Sequence, residues 1–152
     1  MRHAEAAPAG KDGDRERPLT QTGKRQARQS GADLAAGALG PAHVLCSPAL
    51  RTRQTWEEMA ALFPQASADY DPRAYNADSQ TLFECLGEIK NEGPVLLIAH
   101  NPGVQMLTLF LTRQLVNFTP ATRVTISCPC EGWDGLAPGA NTLEGSLPPK
   151  SP

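Results

Sequence analysis

Five apolar residues in a row, Val95-Leu96-Leu97-Ile98-Ala99, follow the dipeptide Gly93-Pro94. A run of this length beside turn-forming residues is typical of a strand that is buried on both faces of a sheet. Strands of this kind occur in parallel sheets whose faces are covered by helices. This run constrains the fold most, because the rest of the chain has to supply helices for both faces.

Helical and strand patterns alternate along the chain from residue 20 onward, after a polar loop over residues 7–18. We therefore predict an α/β fold, a single-domain three-layer α/β/α sandwich with a mainly parallel sheet, over residues 1–152. The predicted helices are residues 20–38 with Thr20 as N-cap, 49–63, a segment marked by Leu82, Phe83, Leu86 and Ile89, and 102–116. The predicted strands are residues 43–46, a weak strand at 69–75 that Pro72 breaks, 95–99, 124–126 and an edge strand near 142–147.

Composition narrows the function classes. The chain has 152 residues and a net charge of -2, so it has no basic field that would attract nucleic acid or an anionic membrane. No apolar run is long enough for a membrane helix, and no secretion leader is recognisable. Cys128 and Cys130 form a lone C-x-C pair without a second pair or a nearby His, so we expect free thiols rather than a zinc site. We expect a cytoplasmic protein.

Two segments place a polar residue and a proline directly after a predicted strand, namely Ser47-Pro48 and Asn101-Pro102. Ser and Asn are favoured as helix N-caps, and proline is favoured at the first helical position. Each segment therefore predicts a strand that passes directly into a helix. The carboxyl ends of parallel strands share one edge of the sheet, where helix N-termini present free N–H groups. The two junctions predict an anion site at this edge.

Side chains suited to a phosphate lie at these junctions and at the start of the chain: Arg51, His100, Arg2 and His3. Arg binds phosphate oxygens bidentately, and a neutral imidazole is a nucleophile near pH 7. A second imidazole can donate to a phosphoryl oxygen as charge develops there. Each residue alone is more often a solvated or capping side chain. The prediction therefore depends on their convergence around one anion.

Four motifs in this order resemble the histidine phosphatase (phosphoglycerate-mutase-like) superfamily. They are Arg2-His3-Ala4-Glu5-Ala6, similar to its RHG-type signature; Arg17-Pro18-Leu19-Thr20 with Gly23, similar to RPLT..G; residues 47–55, similar to SPxxRxxQT; and His100-Asn101-Pro102, similar to HNP. Trp133, Pro138-Gly139 and residues 143–148 resemble the tail of the short, SixA-type phosphohistidine phosphatases. The resemblance covers residues 2 to about 149.

This resemblance implies a phosphatase in which His3 takes the phosphoryl group as a covalent phosphohistidine. Arg2, Arg51 and His100 would form the phosphate pocket, with Arg17 at its lip and Asn101 as a helix cap beside the substrate. Water would then hydrolyse the phosphoenzyme without a metal or an organic cofactor.

Larger members of the family supply a carboxylate that protonates the leaving oxygen. Asp78 and Glu84 are candidates for this general acid, although solvated charges are the favoured interpretation of both. A phosphoramidate needs little acid help, because protonated imidazole is a good leaving group. The resemblance therefore favours phosphohistidine on a histidine phosphotransfer or phosphotransferase protein. The alternatives are a phosphatase of small metabolite esters and a non-catalytic phosphate-binding or scaffold protein.

The start of the chain departs from the family, in which a buried strand leads into the Arg-His pair. Here only Met1 precedes Arg2. Without that strand we expect a loss of apolar burial comparable with the net stability of a domain, two unpaired strand edges and a mobile nucleophile. We therefore hypothesise that Met1 is internal to a longer natural chain. The intact mass of the natively expressed protein tests this hypothesis.

Overall fold

The computed structural model describes residues 1–38, 40–90 and 92–148. Its helices are α1 (Gln21–Ala36), α2 (Leu50–Ala60), α3 (Ser79–Gly87) and α4 (Gly103–Thr112); its strands are β1 (His43–Cys46), β2 (Ser67–Tyr70), β3 (Val95–Ile98), β4 (Arg123–Ser127) and β5 (Thr142–Leu147). Three-residue 3-10 turns cover Asp14–Glu16, Pro72–Ala74 and Trp133–Gly135. Residues 39, 91 and 149–152 of the predicted single domain lie outside the described residues.

Every predicted helix and strand has a counterpart, but several bounds were wrong. The last predicted helix ends at Thr112 rather than residue 116, because Arg113 takes a left-handed conformation with φ 61°. The weak strand lies at Ser67–Tyr70 rather than 69–75, and Pro72 begins a 3-10 turn instead. Thr20 is the predicted N-cap, since its side chain accepts a hydrogen bond from the Gly23 N–H.

The central sheet is parallel, in the order β2-β1-β3. Successive side chains of each strand point to opposite faces of the sheet and pack in two different apolar layers. Val44 and Cys46 of β1 pack in the cluster that includes α1 and α2 residues, and Leu45 packs in the cluster that includes α3 and α4 residues. The sheet is thus covered by helices on both faces, and the predicted three-layer α/β/α arrangement is confirmed.

Strand β3 is less buried than its apolar sequence predicted. Only Ile98 is fully buried, and Val95, Leu96 and Leu97 are half-buried. Within the described part of the chain, β3 pairs with one strand of the sheet, β1. A groove of about 110 Å³ lies along its other edge and separates it from β4. Among the described residues no strand lies between β3 and β4, which pairs with β5 in an antiparallel ladder, so the predicted unpaired edges are present except where residues 1–3 bond to them.

The first three residues lie at one end of this groove, against β3. Arg2 forms a parallel bridge with Ala99, and the Met1 ammonium group donates to the Leu97 carbonyl at 2.8 Å. On the other side, the Arg2 N–H donates to the Thr122 carbonyl at 3.0 Å. The segment that carries the nucleophile, expected to be mobile, has backbone hydrogen bonds on both sides. Within the described residues, no helix is long and apolar enough to cross a membrane.

Candidate functional site

His3 lies at the carboxyl edge of the sheet with a defined tautomer. Its N–H donates to the Ala99 carbonyl at 3.1 Å, and its carbonyl accepts from the Ala121 N–H at 3.0 Å. The ring Nδ1 lies 2.8 Å from the Ala4 carbonyl oxygen, which can only accept, so Nδ1 carries the proton. The Nε2 lone pair is therefore free to act as a nucleophile, and in this state it accepts from Arg51 Nε at 3.2 Å.

Burial keeps His3 neutral. The side chain is 8% exposed, and burial, followed by the charges of Arg51, Arg2 and Arg17, lowers its pKa to about 4, although the Ala4 hydrogen bond opposes this shift. An unprotonated imidazole is the nucleophilic form. His3 is thus competent for attack at neutral pH without a separate base.

Arg51 connects the two imidazoles. It is the second residue of α2, as predicted, and its side chain is 3% exposed. Its NH2 group lies 3.1 Å from His100 Nδ1, while its Nε contacts His3. The remaining contacts of the guanidinium are with Asp14, through the carboxylate at 3.0 Å and the backbone carbonyl at 2.7 Å.

His100 is the other imidazole of the site. Its ring centroid is 5.3 Å from that of His3, and the edge of the Tyr75 ring packs against it. Its Nδ1 accepts from Arg51, so Nε2 carries the proton and donates to the Ser47 hydroxyl at 2.7 Å. Burial and the adjacent Arg51 charge lower the pKa of His100 to about 3. Both imidazoles are therefore uncharged in the free protein.

Arg2 directly precedes His3 and bonds the segment before β4. Its NH1 donates to the Phe118 carbonyl at 2.8 Å, and its Nε is buried without a hydrogen-bond partner. Burial and the nearby Arg51 lower the pKa of Arg2, which shows that the site concentrates positive charge. Asn101 donates to the same Phe118 carbonyl at 3.1 Å.

Neither junction residue caps a helix in the predicted way. Helix α2 begins at Leu50 with Ala49 as its N-cap, and helix α4 begins at Gly103 with Pro102 as its N-cap. The Ser47 hydroxyl is used by His100, and the Asn101 amide is used by Phe118 and Gln105. The Ser47 hydroxyl thus orients His100 and also accepts weakly, at 3.5 Å, from the N–H of Ala49, the residue that precedes α2.

Arg17, predicted at the lip of the pocket, binds the protein itself in the structure. Its Nε donates to the Ala7 carbonyl at 2.6 Å, and its NH1 donates to Asp14 Oδ1 at 3.0 Å. These contacts fix the Asp14–Glu16 turn against the base of the loop over residues 7–18. Arg17 therefore reaches the centre of the site only through Asp14.

The two candidate general acids lie elsewhere. Asp78 is exposed and caps helix α3, accepting from the Thr81 N–H at 2.8 Å. Glu84 is exposed on the same helix and accepts from the Gln80 amide at 2.9 Å. The structure therefore supports the interpretation that both carboxylates are solvated charges on the surface of α3.

Comparisons with known proteins agree with this geometry. The family model of the histidine phosphatase superfamily, branch 1, matches residues 1–78. The chain belongs to the histidine phosphatase superfamily. An uncharacterized Mycobacterium tuberculosis protein is 30% identical to this phosphatase over 161 residues, which cover 99% of the chain and 100% of the relative.

Two solved structures resemble this phosphatase over nearly its whole length. One, of a candidate phosphohistidine phosphatase SixA from Nakamurella multipartitia, gives a TM-score of 0.87 at 28% identity and covers 99% of this chain and 94% of that one. The other, of the protein histidine phosphatase SixA complexed with tungstate, gives a TM-score of 0.83 at 27% identity. It covers 97% of this chain and 93% of that one. The phosphoglycerate-mutase-like fold expected from the sequence is confirmed.

Sequence reasoning missed two residues of this histidine phosphatase site. Asp14 contacts Arg51, and Tyr75 donates to Asp14 Oδ2 at 2.7 Å while its ring packs on His100. Asp14 lies in a polar loop without periodicity, and Tyr75 follows a turn, so no local pattern marks either residue. Among the described residues, no group of three or more His, Cys, Asp or Glu side chains could hold a metal ion.

Proposed function

We propose that this phosphatase removes the phosphoryl group from phosphohistidine on a protein, by way of a covalent phosphohistidine at His3. One observation carries the proposal: the tautomer of His3 leaves Nε2 unprotonated beside Arg51 and His100, where the charge of Arg2 is also felt. The likeness to two SixA structures at 27–28% identity supports the phosphohistidine substrate.

In the first step, His3 Nε2 attacks phosphorus and the bond from phosphorus to the substrate nitrogen breaks. Arg2 and Arg51 bind the phosphoryl oxygens and balance the charge that develops on them. The leaving imidazole retains its electron pair and takes a proton from solvent. In the second step, water attacks phosphorus, the bond to Nε2 breaks, and inorganic phosphate and neutral His3 are regenerated.

The ionised state of the carboxylate near Arg51 favours a phosphoramidate substrate over an alkyl phosphate ester. Asp14 is the acidic residue that contacts Arg51, and its hydrogen bonds from Tyr75 and Arg17 and the charge of Arg51 hold its pKa well below the usual range. Asp14 is therefore ionised near neutral pH and cannot donate a proton to a leaving oxygen. An imidazole leaving group needs less acid assistance than an alkoxide.

Labelling with a phosphodonor tests the nucleophile. Acetyl phosphate or phosphoramidate should give an acid-labile, alkali-stable phosphoenzyme, and His3→Asn should abolish both the label and turnover. His43→Asn is the matched control, because His43 is buried in β1 and bonds Ser67 rather than the site residues. Turnover near the wild-type rate in a folded His3→Asn protein would refute the assignment.

Substrate choice is tested with the same protein. We expect the rate on a phosphohistidine-containing protein to exceed the rates on a panel of sugar and nucleotide phosphates. Higher rates on the small esters would make the protein a metabolite phosphatase with the same nucleophile. Absence of any label or turnover would instead support the non-catalytic alternative.

A further inference from the structure

Every nitrogen of the Arg51 guanidinium is already bound in the free protein. Nε donates to His3 Nε2 at 3.2 Å, NH1 donates to the Asp14 carbonyl at 2.7 Å, and NH2 donates to Asp14 Oδ2 at 3.0 Å and to His100 at 3.1 Å. Asp14 thus occupies two of the three nitrogens. These are the donors that a phosphoryl group at His3 would need.

The Asp14 carboxylate is held as a bound anion would be held. Oδ2 accepts from both Arg51 and the Tyr75 hydroxyl, and Oδ1 accepts from Arg17 NH1 at 3.0 Å. Two guanidinium groups and a phenol therefore converge on one carboxylate. Such charge-assisted hydrogen bonds are the strongest kind available to either a carboxylate or a phosphate.

The loop that carries Asp14 is attached only lightly to the rest of the molecule. Its base is closed by the Ala7 N–H donating to the Pro18 carbonyl, and residues 8–13, 15 and 16 are exposed. The turn at Asp14–Glu16 contributes no buried residue. A segment with few buried contacts opens at low free-energy cost, so Asp14 can leave Arg51 without disturbing the core.

We propose that Asp14 is a built-in competitor of the phosphoryl group, which has to displace its carboxylate from Arg51 before it can bind. This inference rests on the proposed function, because it assigns the same Arg51 donors to the substrate. It makes Asp14 the residue that sets the affinity of the site for oxyanions. A dianionic phosphoryl group can displace the singly charged carboxylate because it interacts more strongly with the surrounding guanidinium groups.

Calorimetric titration with inorganic phosphate at pH 8 tests the competition. We expect Asp14→Asn to bind phosphate about tenfold more tightly than wild type, as when one charge-assisted hydrogen bond no longer has to be broken. Asp12→Asn is the matched control, because it removes the same charge from an exposed position of the same loop. Its affinity should stay close to that of the wild type.

Weaker phosphate binding by Asp14→Asn than by Asp12→Asn would overturn the competition and make Asp14 a support for Arg51. Phosphate that binds neither wild type nor Asp14→Asn would overturn both this inference and the proposed function. Measurable binding that does not differ between the two would overturn the competition alone.

Hydrogen exchange of the unmodified protein gives a second test that needs no variant. Saturating phosphate should speed the exchange of backbone amides in residues 10–16, because the displaced loop loses its contacts with Arg51 and Tyr75. Slower exchange would mean that the loop closes over the anion, and unchanged exchange would mean that Asp14 stays in place. Either of these results would contradict the inference.

Discussion

At the scale of single residues, the site is organised around one arginine. Arg51 contacts both imidazoles through different nitrogens and defines which nitrogen of His100 is free of a proton. Its position in the first turn of α2 opposes the helix dipole, which favours anions at that end. The arrangement becomes favourable once an anion is bound, which supports the proposed role of Arg51 in binding the phosphoryl group.

Replacing Arg51 by Ala removes one bidentate donor to the phosphoryl oxygens. We expect kcat/KM for phosphoenzyme formation to fall by about 10- to 150-fold, equivalent to a charge-assisted hydrogen bond of about 1.5–3 kcal/mol. Arg53→Ala is the control, because Arg53 lies on the exposed face of the same helix, 4.0 Å from Glu57. Single-turnover labelling measures the rate of phosphoenzyme formation for both variants. Equal rates would count against the role of Arg51.

At the scale of elements, the segment that carries His3 is fixed by two helices. The Ala4 N–H donates to Thr55 of α2 at 3.0 Å, and the Glu5 N–H donates to Gln26 of α1 at 3.0 Å. The first turn of α1 approaches the backbone of Glu5 so closely that a Cβ at Gly23 would clash with the Glu5 carbonyl oxygen. Only glycine fits at this position, which explains the glycine that follows the Arg17–Thr20 motif.

Gly23→Ala should therefore both destabilise the fold and displace His3. Overpacking of this kind costs about 1–3 kcal/mol, and phosphoenzyme formation should fall as well. Gly87→Ala is a suitable control, because a Cβ there would meet its nearest neighbour, the Trp133 carbonyl, at an ordinary 3.8 Å. Urea denaturation gives the free energy of unfolding of each variant. A Gly23→Ala protein as stable and as active as Gly87→Ala would show that the contact is relieved elsewhere.

At the scale of the whole molecule, the fold buries two imidazoles in uncharged form. Burial, together with the charges of the neighbouring arginines, lowers the pKa of His3 to about 4 and of His100 to about 3, from an ordinary value of 6.5. The unfolded chain therefore binds protons that the folded protein excludes.

The free energy of unfolding should fall as the pH is lowered from about 7 to about 4. Below pH 6.5 the unfolded state takes up protons at the two imidazoles, which the folded protein keeps unprotonated. Each excluded proton contributes a slope of at most about 1.4 kcal/mol per pH unit. Urea denaturation at constant ionic strength measures the profile, and His3→Asn should flatten it between pH 6.5 and 4. A stability that is constant or rises toward pH 5 would contradict the burial of neutral bases.

Much of the fold was predictable from local patterns. Apolar runs such as Val95–Ala99 and the amphipathic spacing of residues 56–63 reflect burial directly, so the α/β class and the order of elements followed from them. The bounds were less predictable, because residues such as Arg113 end a helix through a backbone conformation that has no strong sequence signal. The half-burial of β3 depended on which strands pair with it, and a single strand's sequence does not specify its neighbours.

The sequence by itself identified Arg51 and His100, because they stand next to strand ends and helix starts that local patterns reveal, and it identified Arg2 and His3 through their motif. Only the tertiary structure decided how these groups are engaged: which nitrogen of each imidazole bears the proton, and that Asp14 binds Arg51. The physical reason is the separation along the chain between the residues that interact. Helices and strands arise from neighbours within a few residues, whereas the contacts of Asp14 with Arg51 and Tyr75 span 37 and 61 positions and exist only after the layers pack.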